Sequence, residues 1–398
     1  MIDPSPASLA RSQIDRDKKQ LAKFPKLLPH KIERMRASSF AFLRGAAPLF
    51  YTLLKNHKGL VPALPGAGWI AGDLHLENFG AFRTDGFGVD HDKARVVYGA
   101  NDFDDAVVGP WALDALRLTT SLLLGARAWV DATTSLAFAQ KLLDAHASGV
   151  DGAALPQMPK VVARLLEQVS ARKRVELLDH CSEREGDRRR LRRGPHYHQL
   201  TDPVAAAARK AFAGYVAALP AEERSDPAQW EILDLAFRVS GTGSLGMLRV
   251  GILVAGKGGA DGGWLFDMKE QGLPSPSILL GKPKLAPAER VLAAERACLE
   301  HPPRLAGTTK LGTRSMFVRR LAPQEDRVDL AAASAVELEE LVVYLGALAG
   351  AAHRRGATKP AKPWTRAQRA QVIESAIALA GIHEATYLSF LREVDQKA

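Results

Sequence analysis

The chain has 398 residues, 46% of them hydrophobic and 25% charged, with 54 Lys and Arg against 44 Asp and Glu for a net charge of +10. That length is enough for a large core divided into two lobes, and the composition excludes a disordered or low-complexity protein. No apolar run reaches the roughly 20 residues of a membrane span, the first stretch holds no apolar secretory segment, and Cys181 and Cys298 form neither a disulfide framework nor a metal-type spacing. The expectation is a cytoplasmic protein with an anionic partner.

Residues 8–36 read as helical and basic, and SSFAFLRGAAPLFYTLLKN supplies a cap followed by an amphipathic helix. GWIAGDLH and ARVVYGANDF read as short buried strands, each running into a polar loop. From GPWALDALRL to about residue 220 the pattern is helical, interrupted by a charged loop at 182–198 that contains RRRLRR. Such a run is either a solvated face or a patch for an acidic ligand. Aromatic residues are sparse around it, which speaks against a nucleic-acid module. Then FRVSGTGSLGMLRVGILVAGKGGADGGWLFDMKEQ alternates apolar and β-branched residues with Gly-rich turns, as a hairpin or meander does. APAERVLAAERACLE is a helix with Pro near its start, SMFVRRLAP is a strand, and two long amphipathic helices follow from residue 335. The pattern predicts an α+β protein. It gives a helical body with a β-rich insert at about 236–325.

Several short stretches could carry chemistry. GDLHLENFG places Asp73 and Asn78 in one loop after a strand. Both side chains either bond their own backbone in an Asx-type turn, or enter one cleft as a proton acceptor and a Mg²⁺ ligand. NDFDDA adds Asp102, Asp104 and Asp105 after a second strand. Clustered acids there call for a cation or a donor, and Mg²⁺ takes one or two carboxylates together with substrate phosphates. Asp114 begins the next helix, where an acid also suits the helix N-terminus by itself. A metallophosphoesterase would need further His and Asn ligands, and no GNH motif occurs.

GTGSLG, at 241–246, lies between two strands, so it does not open a helix as a Rossmann turn does. It fits the strand-loop-strand that covers nucleotide phosphates in protein kinases, with Lys269 on the next strand placed to reach them. In the helix that follows, Val291, Leu292, Cys298 and Leu299 share a face at about 100° per residue. Glu295 falls near the centre of that face, whereas Glu289 and Glu300 fall off it. A buried acid needs a partner, and Lys269 is the candidate for Glu295, with Glu289 as the fallback acid. SMFVRRL, with Phe317 and Arg319, would lead to a hinge that holds adenine.

Together these stretches resemble the protein-kinase-like superfamily, in particular its aminoglycoside and choline phosphotransferase branch, with its HGDxHxxN loop and following IDFD/E…GP…DLA segment. GDLHLENFG, NDFDDA, GPWALDALRL, RVSGTGSLG, MKEQ and SSFAFLRGAA also resemble a bacterial family called domain of unknown function 2252, in patches over most of the chain. The resemblance implies ATP and Mg²⁺, with Asp73 as the catalytic base, Asn78 and Asp102 as metal ligands and Asp104 as a supporting acid. It also implies that Asp114 braces the catalytic loop, that Gly241, Thr242, Gly243, Ser244 and Gly246 cover phosphates, and that Lys269 pairs with Glu295. Two departures stand out. Ala71 replaces the His before Gly-Asp, and the catalytic loops precede the glycine loop, an order that implies a circular permutation. The kinase-like resemblance divides the chain into an N-terminal helical segment (1–60), a large lobe (61–235), a small lobe (236–325) and a hinge with C-terminal helices (326–398). The implied activity is phosphoryl transfer from ATP to a hydroxyl of a small molecule or a protein. Nucleotidyl transfer onto a protein, and a nucleotide-binding scaffold without catalysis, are the alternatives.

Overall fold

The computed structural model describes residues 5–84, 95–241, 243, 245–360 and 362–396 and has a mixed α+β architecture. The N-terminal segment forms α1 (Pro6–Gln20), α2 (Leu28–Arg36), α3 (Ser39–Gly45) and α4 (Ala47–Asn56). Ser5 and Ser38 accept the amides of Ser8 and Ala41, capping N–H groups that no helical carbonyl can reach. Four short strands follow: β1 (Ala67–Ile70), β2 (Phe79–Arg83), β3 (Val96–Ala100) and β4 (Val107–Pro110). β1 pairs with β4 and β2 with β3, both antiparallel and one pair nested inside the other in chain order. The loops carrying GDLHLEN (β1 to β2) and NDFDDA (β3 to β4) therefore run between the same two pairs and meet. They touch at Gly72, whose φ is +78°; a Cβ there would stand 2.0 Å from the Asp105 carbonyl oxygen. No side chain fits that approach.

Helices α5 (Ala112–Gly125), α6 (Ala132–Asp151), α7 (Lys160–Ser170) and α8 (Arg174–Cys181) come next. The segment expected as a charged loop is instead a hairpin, β5 (Ser182–Glu185) and β6 (Arg188–Leu191), followed by β7 (Tyr197–His198). Gly186 supplies the left-handed turn, and Arg188, Arg189, Arg190 and Arg193 each meet an acid of this chain, which neutralises much of the run. After α9 (Asp202–Ala217) come β8 (Ile232–Arg238), β9 (Arg249–Val254), the one-turn α10 (Gly259–Gly262), β10 (Trp264–Gln271), the one-turn α11 (Ser277–Leu280) and α12 (Pro287–Cys298). β11 (Gly307–Leu311), β12 (Arg314–Leu321), α13 (Ala335–Arg355) and α14 (Arg366–Asp395) complete the chain.

One six-stranded antiparallel sheet, in the order β11-β12-β10-β9-β8-β7, joins these later strands. Alternation along its strands separates two faces. Phe266 and Met268 of β10 and Met316 and Val318 of β12 point into a core shared with Phe212 and Tyr215 of α9. Asp267, Lys269 and Gln271 alternate with them and so face the other way. The packing therefore attaches residues 202–235 to the sheet, whereas the composition shift had placed the boundary at 236. α12 goes the opposite way: Ala288, Val291, Ala294 and Cys298 belong to the large helical core. In that core α13 crosses α6 closely, since a Cβ on Gly350 would lie 2.1 Å from the His146 carbonyl oxygen. Among the described residues no helix is long and apolar enough to cross a membrane.

Candidate functional site

A cleft of about 710 Å³ lies between the helical body and the polar face of the sheet. Asp73, Asn78, Asp102, Asp104, Asp105, Gly241, Gly243, Lys269, Glu295, Phe317 and Arg319 all line it. Three stretches far apart in the chain thus supply one site. Gly246 instead packs against the end of α1, where a Cβ would stand 2.7 Å from the Gln20 carbonyl oxygen. Thr242 and Ser244 lie outside the described residues.

The loop bearing Asp73 is held at several points. Asp114 accepts the Ala71 amide at 2.7 Å and the Gly72 amide at 2.9 Å, one on each carboxylate oxygen. His353 of α13 lies 3.2 Å from the same Asp114, and His146 of α6 lies 2.9 Å from His353. An imidazole from the far end of the chain thus supports the carboxylate that holds the Ala71 and Gly72 amides. Tyr51 donates its hydroxyl to the Gly72 carbonyl at 2.5 Å, and the Asn78 amide nitrogen donates to the Asp73 carbonyl at 2.5 Å. That bond orients Asn78 and leaves its Oδ1 as an acceptor for a cation.

Asp73 itself is gripped by Arg117 of α5, whose Nε and Nη2 reach its Oδ1 at 2.9 and 2.6 Å. Arg117 is fully buried, donates to the Leu43 carbonyl at 2.8 Å and lies 4.9 Å from the Phe50 ring centroid. Burial pushes the Asp73 carboxyl up to about 7; the Arg117 charge pulls it down, and the charges of Asp105 and Asp102 push it up. Arg117 went unremarked in the sequence, although a signal was present. Asp114 and Arg117 are the two charged residues in the otherwise uncharged span 112–125, and buried charges there require partners elsewhere.

On the sheet side, Lys269 does not meet Glu295. Its ammonium pairs with Asp104, which also accepts from Gln271 Nε2 at 2.7 Å. Both oxygens of Asp104 are thus engaged by β10, so the acid assigned to support the metal serves as counterion to Lys269. Burial lowers the Lys269 pKa, with the Asp102 charge acting against it. Glu295 sits on the buried face of α12 as its spacing indicates, but its Oε2 is buried without a hydrogen-bond partner, and burial pushes its carboxyl up to about 7. The fallback acid Glu289 is exposed, and Arg319, whose charge acts to lower the Glu295 pKa, makes its ion pair with Glu325 at 2.9 Å. Behind Lys269, Asp267 takes Arg249 at 2.7 Å and Arg238 at 3.1 Å, and these cations hold its carboxyl below the usual range against the effect of burial.

The loop carrying Asp102, Asp104 and Asp105 is fixed by Arg290 of α12. This fully buried guanidinium donates to the carbonyls of Asp104, at 2.6 Å, and Ala106. Nothing in the pattern announced it, because it lies off the stripe centred on Glu295. Asp105 accepts the Ser275 amide at 2.5 Å. Asp102 is exposed and accepts the Asp104 amide at 3.1 Å, its one hydrogen bond among the described residues. No three His, Cys, Asp or Glu side chains converge on a metal-sized point among the described residues. The exposed Asp102 carboxylate, with one oxygen uncommitted among the described residues, and the Asn78 carboxamide oxygen are donors of the kind Mg²⁺ takes together with water and phosphate oxygens.

Fold and site together define an α+β protein with a polar, acid-rich cleft between a helical body and an antiparallel sheet. The chain belongs to the domain of unknown function 2252 family (DUF2252), described as an uncharacterized protein conserved in bacteria, whose model matches residues 23–148 and 128–393. No curated protein and no solved structure matches it.

Proposed function

We propose that this protein is an ATP- and Mg²⁺-dependent phosphotransferase acting on a hydroxyl, built on a circularly permuted, two-lobed protein-kinase-like scaffold. The observation that carries the reading is the convergence of Asp73, Asp102 and Lys269 on one cleft, with Lys269 bonded to Asp104 across 165 residues of sequence. The strand-loop-strand of β8 and β9 lines the same cleft through Gly241 and Gly243, which is the position a phosphate-covering loop requires.

In this reading Asp73 receives the proton of the acceptor hydroxyl. Its pKa of about 7 keeps a large share ionised at neutral pH while leaving it basic enough to take a proton. The hydroxyl oxygen bonds to the γ-phosphorus, the bond from that phosphorus to the β,γ-bridging oxygen breaks, and ADP leaves. Arg117 fixes Oδ1 of Asp73, so Oδ2 is the oxygen left for the proton. Lys269 would hold the α- and β-phosphates once Asp104 releases it. Mg²⁺, held by Asp102 and Asn78 Oδ1, would neutralise charge on the phosphates.

The test is a thermal shift of the full chain with ATP, with and without Mg²⁺, followed by ADP release across hydroxyl acceptors. Mg²⁺-dependent stabilisation that disappears in Asp102→Ala is expected. Stabilisation that survives Asp102→Ala would remove Asp102 as the metal ligand, and binding without ADP release on any acceptor would favour a non-catalytic scaffold.

A further inference from the structure

The charge in the cleft is unevenly distributed. Asp104 pairs with Lys269, and Asp102, Asp105 and Glu295 line the same cleft from the 102–106 loop and α12. Beside the Asp73 loop the lining is basic. Arg44 of α3 and Arg327 both close on one oxygen of Glu77, at 2.9 and 2.5 Å, so two guanidiniums share a single carboxylate. The Arg44 Nε is buried without a hydrogen-bond partner. Arg34 reaches in from α2 to the Gly241 carbonyl, and Arg16 of α1 lines the cleft with no ion-pair partner among the described residues. Burial together with the charges of Arg327 and Arg34 lowers the Arg44 pKa, while Glu77 and Asp73 act in the opposite sense. Asp73 and Asp326 nearby are already paired with Arg117 and Arg172. Glu77 is thus the acid left to these crowded cations, and the net potential is positive, which an added anion would relieve.

We propose that this basic group is the acceptor subsite, and that the hydroxyl is carried by a small molecule bearing a phosphate or carboxylate group. The proposal rests on the phosphotransfer reading. Paired guanidiniums suit such groups because their planar forks give two parallel charge-assisted hydrogen bonds. Glu77 holds the two arginines side by side in the same loop as Asp73, so an anion anchored there presents a nearby hydroxyl to the catalytic carboxylate. A small acceptor is favoured because the N-terminal helices close this side of the cleft. Gln20 Nε2 donates to the carbonyls of Gly243 and Leu245 at 2.9 and 2.8 Å, and with the Arg34 bond it ties α1 and α2 to the glycine loop. In the transfer the acceptor's anionic group stays intact on Arg44 and Arg327. The new bond joins its hydroxyl oxygen to the γ-phosphorus, ADP leaves, and the hydroxyl proton passes to Asp73.

The experiment is titration of the full chain, loaded with Mg²⁺ and a non-hydrolysable ATP analogue, with glycerol 3-phosphate, glycerate, glycerol and choline. The two anions are expected to bind at least about tenfold tighter than glycerol, as charged hydrogen bonds allow. Arg327→Gln, whose side chain is 53% exposed, should fold normally and lose most of that preference. Arg44→Gln together with Arg327→Gln should abolish it and leave the nucleotide-induced thermal shift unchanged. Equal binding of anions and glycerol, preference for choline, or full anion affinity in the double variant would overturn the assignment. Loss of the nucleotide shift in a folded double variant would give these arginines to the nucleotide phosphates instead. A wild-type chain with no Mg²⁺-nucleotide shift at all would refute the phosphotransfer reading itself, and that result is visible before any acceptor is added.

Discussion

Glu295 offers a test whose sign separates two arrangements. As the structure stands it is a buried acid with one orphaned oxygen, its pKa raised from 4.5 to about 7. A carboxyl with a raised folded-state pKa contributes stability below the unfolded value, and that contribution is lost as pH rises through the folded value. The window is therefore about pH 4.5 to 7. At about 1.4 kcal/mol per pH unit, full ionisation costs about 3 kcal/mol. Glu295→Gln keeps the shape and removes the titration. Wild type and variant should match near pH 4 to 5, and by pH 8 the variant should be more stable by up to about 3 kcal/mol. For a chain of this length that corresponds to about 4 °C in melting temperature. The assay is melting of both proteins from pH 5 to 9 without nucleotide, read as the difference between them so that other titrating groups cancel. A variant that is less stable at pH 8 would refute the reasoning, because it would mean that Glu295 is ion-paired, with Arg319, whose charge already acts on it, as the candidate.

Asp73→Asn should lower kcat by about 10²–10⁴ while the Mg²⁺-ATP thermal shift persists, and the wild-type rate should climb with pH and level off above about 7 as Asp73 loses its proton. Lys31→Met should cost about 3–5 kcal/mol in urea unfolding, because Lys31 and Asp17 form a 2.6 Å pair with both side chains 2% exposed. Adding Asp17→Asn should recover much of that loss; no recovery would mean that the loss comes from packing. Asp114→Ala strips the Ala71 and Gly72 amides of their acceptor, at about 1–3 kcal/mol each, so unfolding experiments should show lower stability and turnover should fall with it.

Element type was largely legible, because it depends on local period and punctuation. The long C-terminal helices show a 3.6-residue apolar stripe and begin at capping boxes, Ser334 with Glu337 and Thr365 with Gln368. β9 and β10 show alternation between glycine turns. Asp73, Asn78, Asp102, Lys269 and the buried position of Glu295 could be singled out because polar groups next to apolar runs need a reason to be there. The hairpin at 182–191 was misread, since in a strand of alternating exposure a dense run of arginines conceals which ones are buried.

Pairing is what tertiary structure alone decided. A charge in the sequence declares that it needs a partner, but the partner is set by which surfaces the fold brings together. Lys269 found Asp104 and left Glu295 unpaired, Asp73 found Arg117, and Asp114 found two loop amides and His353. Each of those contacts spans between 42 and 239 residues, beyond the reach of any helical or strand period. The sequence by itself determined the segments and the residues that could not stand alone; packing of α5, α12 and α13 around two nested strand pairs decided which of them share the cleft.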